Sequence, residues 1–186
     1  MSRTVYITYF IHGTTTDNEN GIATGWHHGK LSELGKEQSV QLRELTKDQK
    51  FDVVFSSDLK RSYDSAKLTF GDRYKIIRDK RLRECNYGDL NGYNSEKVNP
   101  LILSHIYDPF PNGESYMDVR KRISDFLNYL LERYPDKNIA IVSHKAPQLV
   151  LEVLLNKKTW KKVFEEDWRL KGPEGWKPGW NYTLNG

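Results

Sequence analysis

Residues 4–13 read TVYITYFIHG, a run of β-branched and aromatic residues that ends in a histidine and a glycine. Such a run predicts a buried β-strand over Thr4–Phe10, with His12 and Gly13 directly after it. Three further runs of similar composition predict strands at Phe51–Ser56, Tyr74–Ile77 and Asn138–Ser143.

Amphipathic patterns with helical spacing lie between and after these strands. They predict four helices. The first starts at Ser32 and runs through Glu44, and the second starts at a Ser57 or Asp58 cap. The third covers 117–134, and the fourth runs from about Pro147 to Leu155. Strands that alternate with helices indicate a three-layer α/β/α sandwich with a mostly parallel central sheet. Such sheets bind ligands outside the carboxyl ends of their strands.

Composition and length indicate one globular domain over residues 1–186. The chain has 186 residues, of which 37% are hydrophobic and 29% charged, and its formal net charge is +4. The single Cys85, the lack of a signal-peptide pattern and the lack of a long apolar stretch predict a cytoplasmic protein without a membrane role. We interpret the tryptophan-rich tail, residues 156–186, as a cover over the sheet or the site.

Four side chains with useful chemistry fall at or near predicted strand ends. His12 and His144 each follow an apolar strand, Arg61 lies where another strand leads into a helix, and Glu84 lies in the polar loop RLRECNYGDLNG. Phosphoryl transfer requires a nucleophile, donors for the non-bridging oxygens and an acid for the leaving alcohol. Imidazole, guanidinium and carboxyl groups are able to fill these roles.

The sequence resembles the histidine phosphatase superfamily in its phosphoglycerate mutase-like branch. The resemblance is carried by five blocks, in family order, between residue 4 and about residue 155: FIHGTTTDNENGIATGWHHGKLSELGKEQS, SSDLKRSYDSA, LRECNYGDLNG, PNGES and IAIVSHKA. It implies the phosphoglycerate mutase-like fold, a small phosphorylated substrate or inorganic phosphate as the bound partner, and no metal or organic cofactor.

The resemblance also implies roles for individual residues. His12 would become phosphorylated, while Arg61 and His144 would hold the transferred group and Glu84 would serve as proton donor and later as base. By position, Asn18 matches a phosphate contact, and Thr24 with Gly25 matches a substrate-contacting pair.

Two positions depart from the family pattern. Ile11 stands where the family has the arginine of its first motif, and Lys145-Ala146 stands where two small residues follow the second histidine. Loss of an electrostatic donor of this kind costs about 10² to 10³ in rate. We hypothesise that Lys145 offsets part of that loss, and that backbone N–H groups near Gly13 and Lys145 help to hold the phosphoryl group.

Several alternatives stay open at this point. The resemblance favours a phosphatase that hydrolyses a phosphomonoester through a phosphohistidine on His12. The same site would also serve a phosphoglycerate mutase-type transfer, and the change at Ile11 favours a catalytically impaired relative that binds a phosphorylated ligand or a protein. A metal site at His27, His28 and His105 lacks a completing ligand pattern. Nucleic acid is a less favoured partner, and the sequence does not decide whether the protein forms a homo-oligomer. Binding of nucleic acid would rely on base stacking by four tryptophans of the tail: Trp160, Trp168, Trp176 and Trp180.

Overall fold

The computed structural model describes residues 3–175 and 177–186. The strands are β1 (Thr4–Ile11), β2 (Ile22–Ala23), β3 (Val53–Ser56), β4 (Ile76–Arg78), β5 (Tyr93–Asn94), β6 (Asn138–Ser143) and β7 (Trp180–Asn185). The α-helices are α1 (Thr16–Glu19), α2 (Glu33–Leu45), α3 (Lys60–Phe70), α4 (Ser95–Val98), α5 (Tyr116–Arg133), α6 (Lys145–Leu154) and α7 (Trp160–Glu165). Short 3-10 segments cover Lys80–Leu82, Gly88–Leu90, Asn99–His105 and Trp168–Gly175.

Five strands form the central sheet in the order β4-β3-β6-β1-β7. The pairs β4/β3, β3/β6 and β6/β1 are parallel, whereas β7 pairs antiparallel with β1 at the sheet edge. Strands β2 and β5 form a separate two-stranded sheet. The prediction of an α/β fold with a mostly parallel central sheet is therefore confirmed.

Alternate residues of the central strands build a core on each face of the sheet. On one face, Val5 and Ile7 of β1 belong to the cluster that includes the apolar sides of α5 and α6. On the other face, Val54, Ala140 and Val142 pack with residues of α2 and α3. The period of two along each strand thus feeds two helical layers, as expected for buried parallel strands.

Helix boundaries agree with the sequence in two cases and differ in two. Ser32 caps α2 by accepting from the Gly35 N–H, and Ser115 closes a capping box at the start of α5. Helix α3, however, follows Leu59 without a side-chain cap, so the prediction of a Ser57 or Asp58 cap was wrong. Asp58 instead pairs with Arg83.

Helix α6 begins at Lys145, two residues before Pro147, with His144 as its N-cap residue. Proline is tolerated there because the N–H groups of the first helical turn have no partner within the helix. The earlier start matters for function, since it places the backbone of Lys145 and Ala146 at a helix N-terminus directly beside His144.

The C-terminal segment packs through its aromatic residues. Trp168 stacks on Trp180 with ring centroids 5.4 Å apart, and Trp160 stacks on Phe164 at 6.1 Å, while Trp176 lies outside the described residues. Across the described ranges, no helix combines the length and apolar character that a bilayer crossing requires.

Candidate active site

The residues that follow β1, β3 and β6 open onto one cavity of about 1030 Å³. Seven of the eight residues that the sequence predicts for the site line it: His12, Asn18, Thr24, Gly25, Arg61, Glu84 and Lys145. The eighth, His144, is fully buried and lies against His12 instead. The structure therefore brings together residues from four separate stretches of sequence, 12–25, 61, 84 and 144–145.

The imidazole of His12 is held in one tautomer. Its Nδ1 lies 2.7 Å from the carbonyl oxygen of Gly13. Because a carbonyl only accepts hydrogen bonds, Nδ1 must carry the proton, which leaves the lone pair on Nε2. Burial, helped by the charge of Arg61, lowers the pKa of His12 to about 3. The ring is thus neutral near pH 7, with a nucleophilic nitrogen available.

His144 lies beside this ring, with the two centroids 5.0 Å apart and an interplanar angle of 65°. The hydroxyl of Tyr9 fixes its backbone by donating to the His144 carbonyl at 2.7 Å and accepting from its N–H at 3.0 Å. Neither ring nitrogen has a hydrogen-bond partner among residues 3–175 and 177–186. Burial lowers the pKa of His144 well below its ordinary value.

Arg61 lies in the first turn of α3, and only 2% of it is exposed. Its Nη1 donates to the carbonyl of His27 at 2.7 Å and its Nη2 to the carbonyl of Gly25 at 2.8 Å. These bonds fix the plane of the guanidinium beside His12. His27 therefore contributes to the site through its backbone carbonyl.

Position 25 requires glycine. Its φ is +53°, and a Cβ there would lie 1.7 Å from Oδ1 of Asn91. That same oxygen accepts the N–H groups of Trp26 and Tyr87. Glycine at position 25 therefore lets the backbone of residues 25–27, whose carbonyls hold Arg61, approach the loop that follows Glu84.

Two further predicted lining residues make local contacts. Thr24 donates from its hydroxyl to the carboxylate of Asp17 at 2.8 Å, and it is buried. Asn18 is exposed, and its Oδ1 accepts from the N–H of Thr15 in the capping box of α1. Both residues border the cavity, but their described bonds stabilise the loop between β1 and β2.

The carboxylate of Glu84 accepts three backbone N–H groups. Oε1 accepts from Cys85 and Ala146, both at 2.9 Å, and Oε2 accepts from Lys145 at 3.1 Å. Two of these donors belong to the first turn of α6, where the helix dipole favours a negative charge. Since a carboxylate oxygen has two lone pairs, Oε2 retains one that faces no described donor.

Two backbone donors that we expected to hold phosphate are already used. The N–H of Gly13 donates to Oγ of Ser65 at 3.1 Å, and the N–H of Lys145 donates to Glu84. Both N–H groups are therefore already paired within the protein, and their role toward a phosphoryl group stays a prediction. The physical reason is the short distance between the elements, which lets side chains satisfy the backbone first.

Close backbone contact also fixes the loop that follows His12. A Cβ on Gly35 would lie 1.9 Å from the carbonyl oxygen of Thr14, and a Cβ on Gly13 would lie 2.2 Å from that of Gly35. Neither position has room for a side chain. The glycines after His12 and at the start of α2 therefore let helix and loop meet.

The side chain of Lys145 lines the cavity, with about a quarter of its surface exposed. Its Nζ lies 3.4 Å from Oδ2 of Asp167, and Nη1 of Arg169 lies 2.7 Å from Oδ1 of the same carboxylate. Asp167 and Arg169 border the cavity too. The C-terminal segment thus adds a carboxylate and a cation to the site.

Sequence reasoning missed Asp167, Arg169, Ser65 and Arg122. Ser65 lies one helical turn after Arg61 on α3, a spacing that could have identified it. Asp167 and Arg169, which flank Trp168, match no catalytic motif. Arg122 lies in an amphipathic helix, where no sequence pattern distinguishes it from its polar neighbours. Within the described ranges, no group of three His, Cys, Asp or Glu side chains is placed to bind a metal ion.

Known proteins with similar sequences include both mutases and phosphatases. The chain is 29% identical over 166 residues to a 2,3-bisphosphoglycerate-dependent phosphoglycerate mutase of Allorhizobium ampelinum, covering 80% of this chain and 78% of the relative. It is 28% identical over 145 residues to phosphoserine phosphatase 1 of Hydrogenobacter thermophilus, covering 73% and 69% respectively.

Solved structures share the fold. A mycobacterial glucosyl-3-phosphoglycerate phosphatase, solved in complex with VO3, superposes with a TM-score of 0.72 at 27% identity, over 87% of this chain and 85% of its own. The α-ribazole phosphatase of Shigella flexneri superposes with a TM-score of 0.75 at 24% identity, over 87% and 84%.

The family model of the histidine phosphatase superfamily (branch 1) matches residues 9–168. That span contains the end of the strand that leads to His12, the cap of α6 at His144, and Arg61 and Glu84 between them. Because the match covers most of the chain and all four of these residues, the protein belongs to the histidine phosphatase superfamily, branch 1.

Proposed function

We propose that this protein hydrolyses a phosphomonoester through a phosphohistidine on His12. The observation that carries the proposal is the Nδ1 contact with the Gly13 carbonyl, which leaves a neutral imidazole with its Nε2 lone pair available. A buried arginine and a carboxylate line the same cavity, and the buried His144 lies against His12. A small phosphorylated compound is the substrate class that suits them.

In the first step, Nε2 of His12 attacks phosphorus and forms the N–P bond while the bond from phosphorus to the leaving oxygen breaks. The leaving alcohol takes a proton from Glu84, whose Oε2 retains the free lone-pair site that a proton would occupy. In the second step, water attacks phosphorus, gives its proton to Glu84 and releases phosphate and neutral His12. Each step balances without a metal or cofactor.

We assign the remaining predicted residues to binding. Arg61 and His144 would donate to the non-bridging oxygens, the latter once it binds a proton in the presence of the phosphoryl dianion. Lys145 would approach from the first turn of α6. Asn18, Thr24 and Gly25 would border the leaving group, since all three line the same cavity as His12.

Mutase-type transfer is the second candidate, favoured by the similarity to a phosphoglycerate mutase. The two activities share the first step and differ in the acceptor, which is water in one case and a bound phosphoglycerate in the other. The sequence has no obvious long insertion that would enclose the intermediate of such a transfer. This favours hydrolysis.

The test is a metal-free incubation with p-nitrophenyl phosphate, followed by isolation of an acid-labile, base-stable phosphoenzyme. We expect label and turnover in the wild type and in the control His105→Ala, whose histidine lies outside the cavity, and neither in His12→Ala. Turnover that persists in His12→Ala would reject the nucleophile. Label that is discharged by 3-phosphoglycerate but not by water would favour the mutase.

A further inference from the structure

We propose that Arg169 of the C-terminal segment binds the phosphoryl group directly, as a third cation of the site beside Arg61 and Lys145. The proposal rests on the proposed function, because it assigns Arg169 to the same phosphate position at His12. Arg169 reaches the cavity from the segment 168–175. This segment is remote in sequence from all the site residues that the sequence predicts.

The first argument is a count of donors. A transferred phosphoryl group presents three non-bridging oxygens, which need N–H donors or cations. The N–H groups of Gly13 and Lys145 are bonded to Ser65 and Glu84. Arg61 uses one N–H of each Nη on backbone carbonyls. The last residue of β1 is Ile11, which borders the cavity and donates nothing from its side chain.

The second argument is that the guanidinium of Arg169 is already held in place. Nη1 donates to Asp167 at 2.7 Å and Nη2 donates to Oε1 of Gln148 at 2.9 Å. The group also lies over the indole of Trp168, 4.6 Å from the ring centroid. Since guanidinium has five N–H donors and two are used, three remain for a ligand, and little side-chain entropy is lost when it binds.

Gln148 links this arrangement to the catalytic histidines. It lies one turn after His144 on α6, and its amide oxygen also accepts from the indole N–H of Trp168 at 3.2 Å. Arg169 is close enough to His12 for its charge to help lower the pKa of that ring. Helix α6 thus positions His144 and, through Gln148, the guanidinium.

The third argument is charge. The described residues that line the cavity include three cations, Arg61, Lys145 and Arg169, and two carboxylates, Glu84 and Asp167. Asp167 is shared between Lys145 and Arg169, so one carboxylate compensates only one of the two cations. Without Arg169 the lining would carry equal numbers of positive and negative groups. With it, the cavity has the excess positive charge that a phosphate dianion requires.

The experiment compares Arg169→Ala with Lys171→Ala, a matched control that removes the same charge from an exposed residue of the same segment outside this cavity lining. Binding of inorganic phosphate to each protein is measured by calorimetry, and kcat/KM with p-nitrophenyl phosphate by steady-state kinetics. We expect Arg169→Ala to weaken phosphate binding about tenfold or more and to lower kcat/KM by about 10² to 10³. Lys171→Ala should remain within about twofold of wild type. Equal phosphate affinity in the two variants would overturn the proposal.

A purely structural role for Arg169, that of fastening the segment, is tested by Ile11→Arg in the Arg169→Ala background. The new guanidinium would enter the cavity from the end of β1 without restoring the bonds to Asp167 and Gln148. Recovered phosphate affinity with an unrecovered Tm supports the proposal, whereas affinity that stays low while the double variant remains folded overturns it. If the double variant does not fold, the comparison of Arg169→Ala with Lys171→Ala decides.

Failure of the proposed function has a different signature. In that case the wild type would show no turnover that depends on His12. The phosphate affinities of wild type and Arg169→Ala would still test whether Arg169 binds phosphate.

Discussion

The imidazole rings of His12 and His144 meet edge to face, with their centroids 5.0 Å apart. Both are neutral, because burial lowers the pKa of each and the charge of Arg61 acts in the same direction. A pair of neutral histidines beside a fixed guanidinium is suited to nucleophilic attack, since protonation would remove the lone pair of His12. Arrival of a phosphate dianion would reverse the balance at His144 by favouring its protonated form.

The first prediction concerns the tautomer of His12. In long-range ¹H–¹⁵N spectra of the phosphate-free protein at pH 6, we expect the His12 ring to be neutral and protonated on Nδ1, because that nitrogen donates to the Gly13 carbonyl. A His12→Asn sample assigns the signal. An Nε2-protonated ring, or a titration midpoint near 6.5, would contradict the geometry.

The second prediction concerns stability and pH. The pKa of His12 is about 3 in the folded protein, against an ordinary value of 6.5. As pH falls below 6.5, the unfolded chain binds a proton that the folded protein does not, so the free energy of unfolding decreases. The contribution from His12 reaches up to about 2 kcal/mol between pH 6.5 and 5.

Urea unfolding of wild type and His12→Asn at pH 6.5 and pH 5 measures this difference. We expect the wild type to lose more stability than the variant over that interval. The carboxylates common to both proteins cancel in the comparison. Identical losses in the two proteins would show that His12 titrates normally.

The third prediction concerns Glu84. In Glu84→Gln an amide NH₂ must replace one carboxylate oxygen, and it would face an N–H donor of Lys145, Ala146 or Cys85. We expect a loss of about 1–3 kcal/mol in the free energy of unfolding, together with a lower kcat. Glu132→Gln, an exposed change on α5, is the control for the lost charge. A Glu84 variant as stable as this control would show that the three bonds contribute little.

Sequence was sufficient to predict the layers of the fold and the meeting of His12, Arg61 and Glu84 at one cavity. Strand ends are readable because apolar runs stop abruptly at His12 and at His144, and parallel strands bring their carboxyl ends to one edge. The long helix α5 follows from its apolar spacing and from the capping box at Ser115.

Contacts between distant segments could not be predicted. The bonds of Gly13 to Ser65 and of Lys145 to Glu84 depend on distances that no local pattern encodes. For the same reason the sequence does not reveal that Lys145 shares the buried carboxylate of Asp167 with Arg169. Tail residues show no periodicity that would reveal which side chain faces the cavity.

The last prediction concerns Arg122, which holds the loop before Glu84. Its Nη1 donates to the carbonyls of Arg81 and Arg83 at 2.6 and 2.7 Å, and its Nη2 donates to the carbonyl of Glu84 at 2.9 Å. The same side chain pairs with Glu114 at 2.9 Å, and both partners are mostly buried. Arg122→Ala would leave three carbonyls and one carboxylate without this donor. We therefore expect it to lower the free energy of unfolding by about 3 kcal/mol.

Because Arg122 contacts backbone carbonyls and Glu114 and is not among the residues that line the cavity, we predict a positioning role for it. Its removal should lower kcat through displacement of Glu84 while binding of inorganic phosphate stays within about twofold of wild type. Lys121→Ala, the exposed neighbour on the same helix, should change neither quantity. Arg122→Lys should recover only part of both losses, since one ammonium cannot reproduce the planar set of donors that reaches three carbonyls and Glu114. A variant that lost phosphate affinity and kept kcat would place Arg122 with the phosphate-binding groups and reject the positioning role.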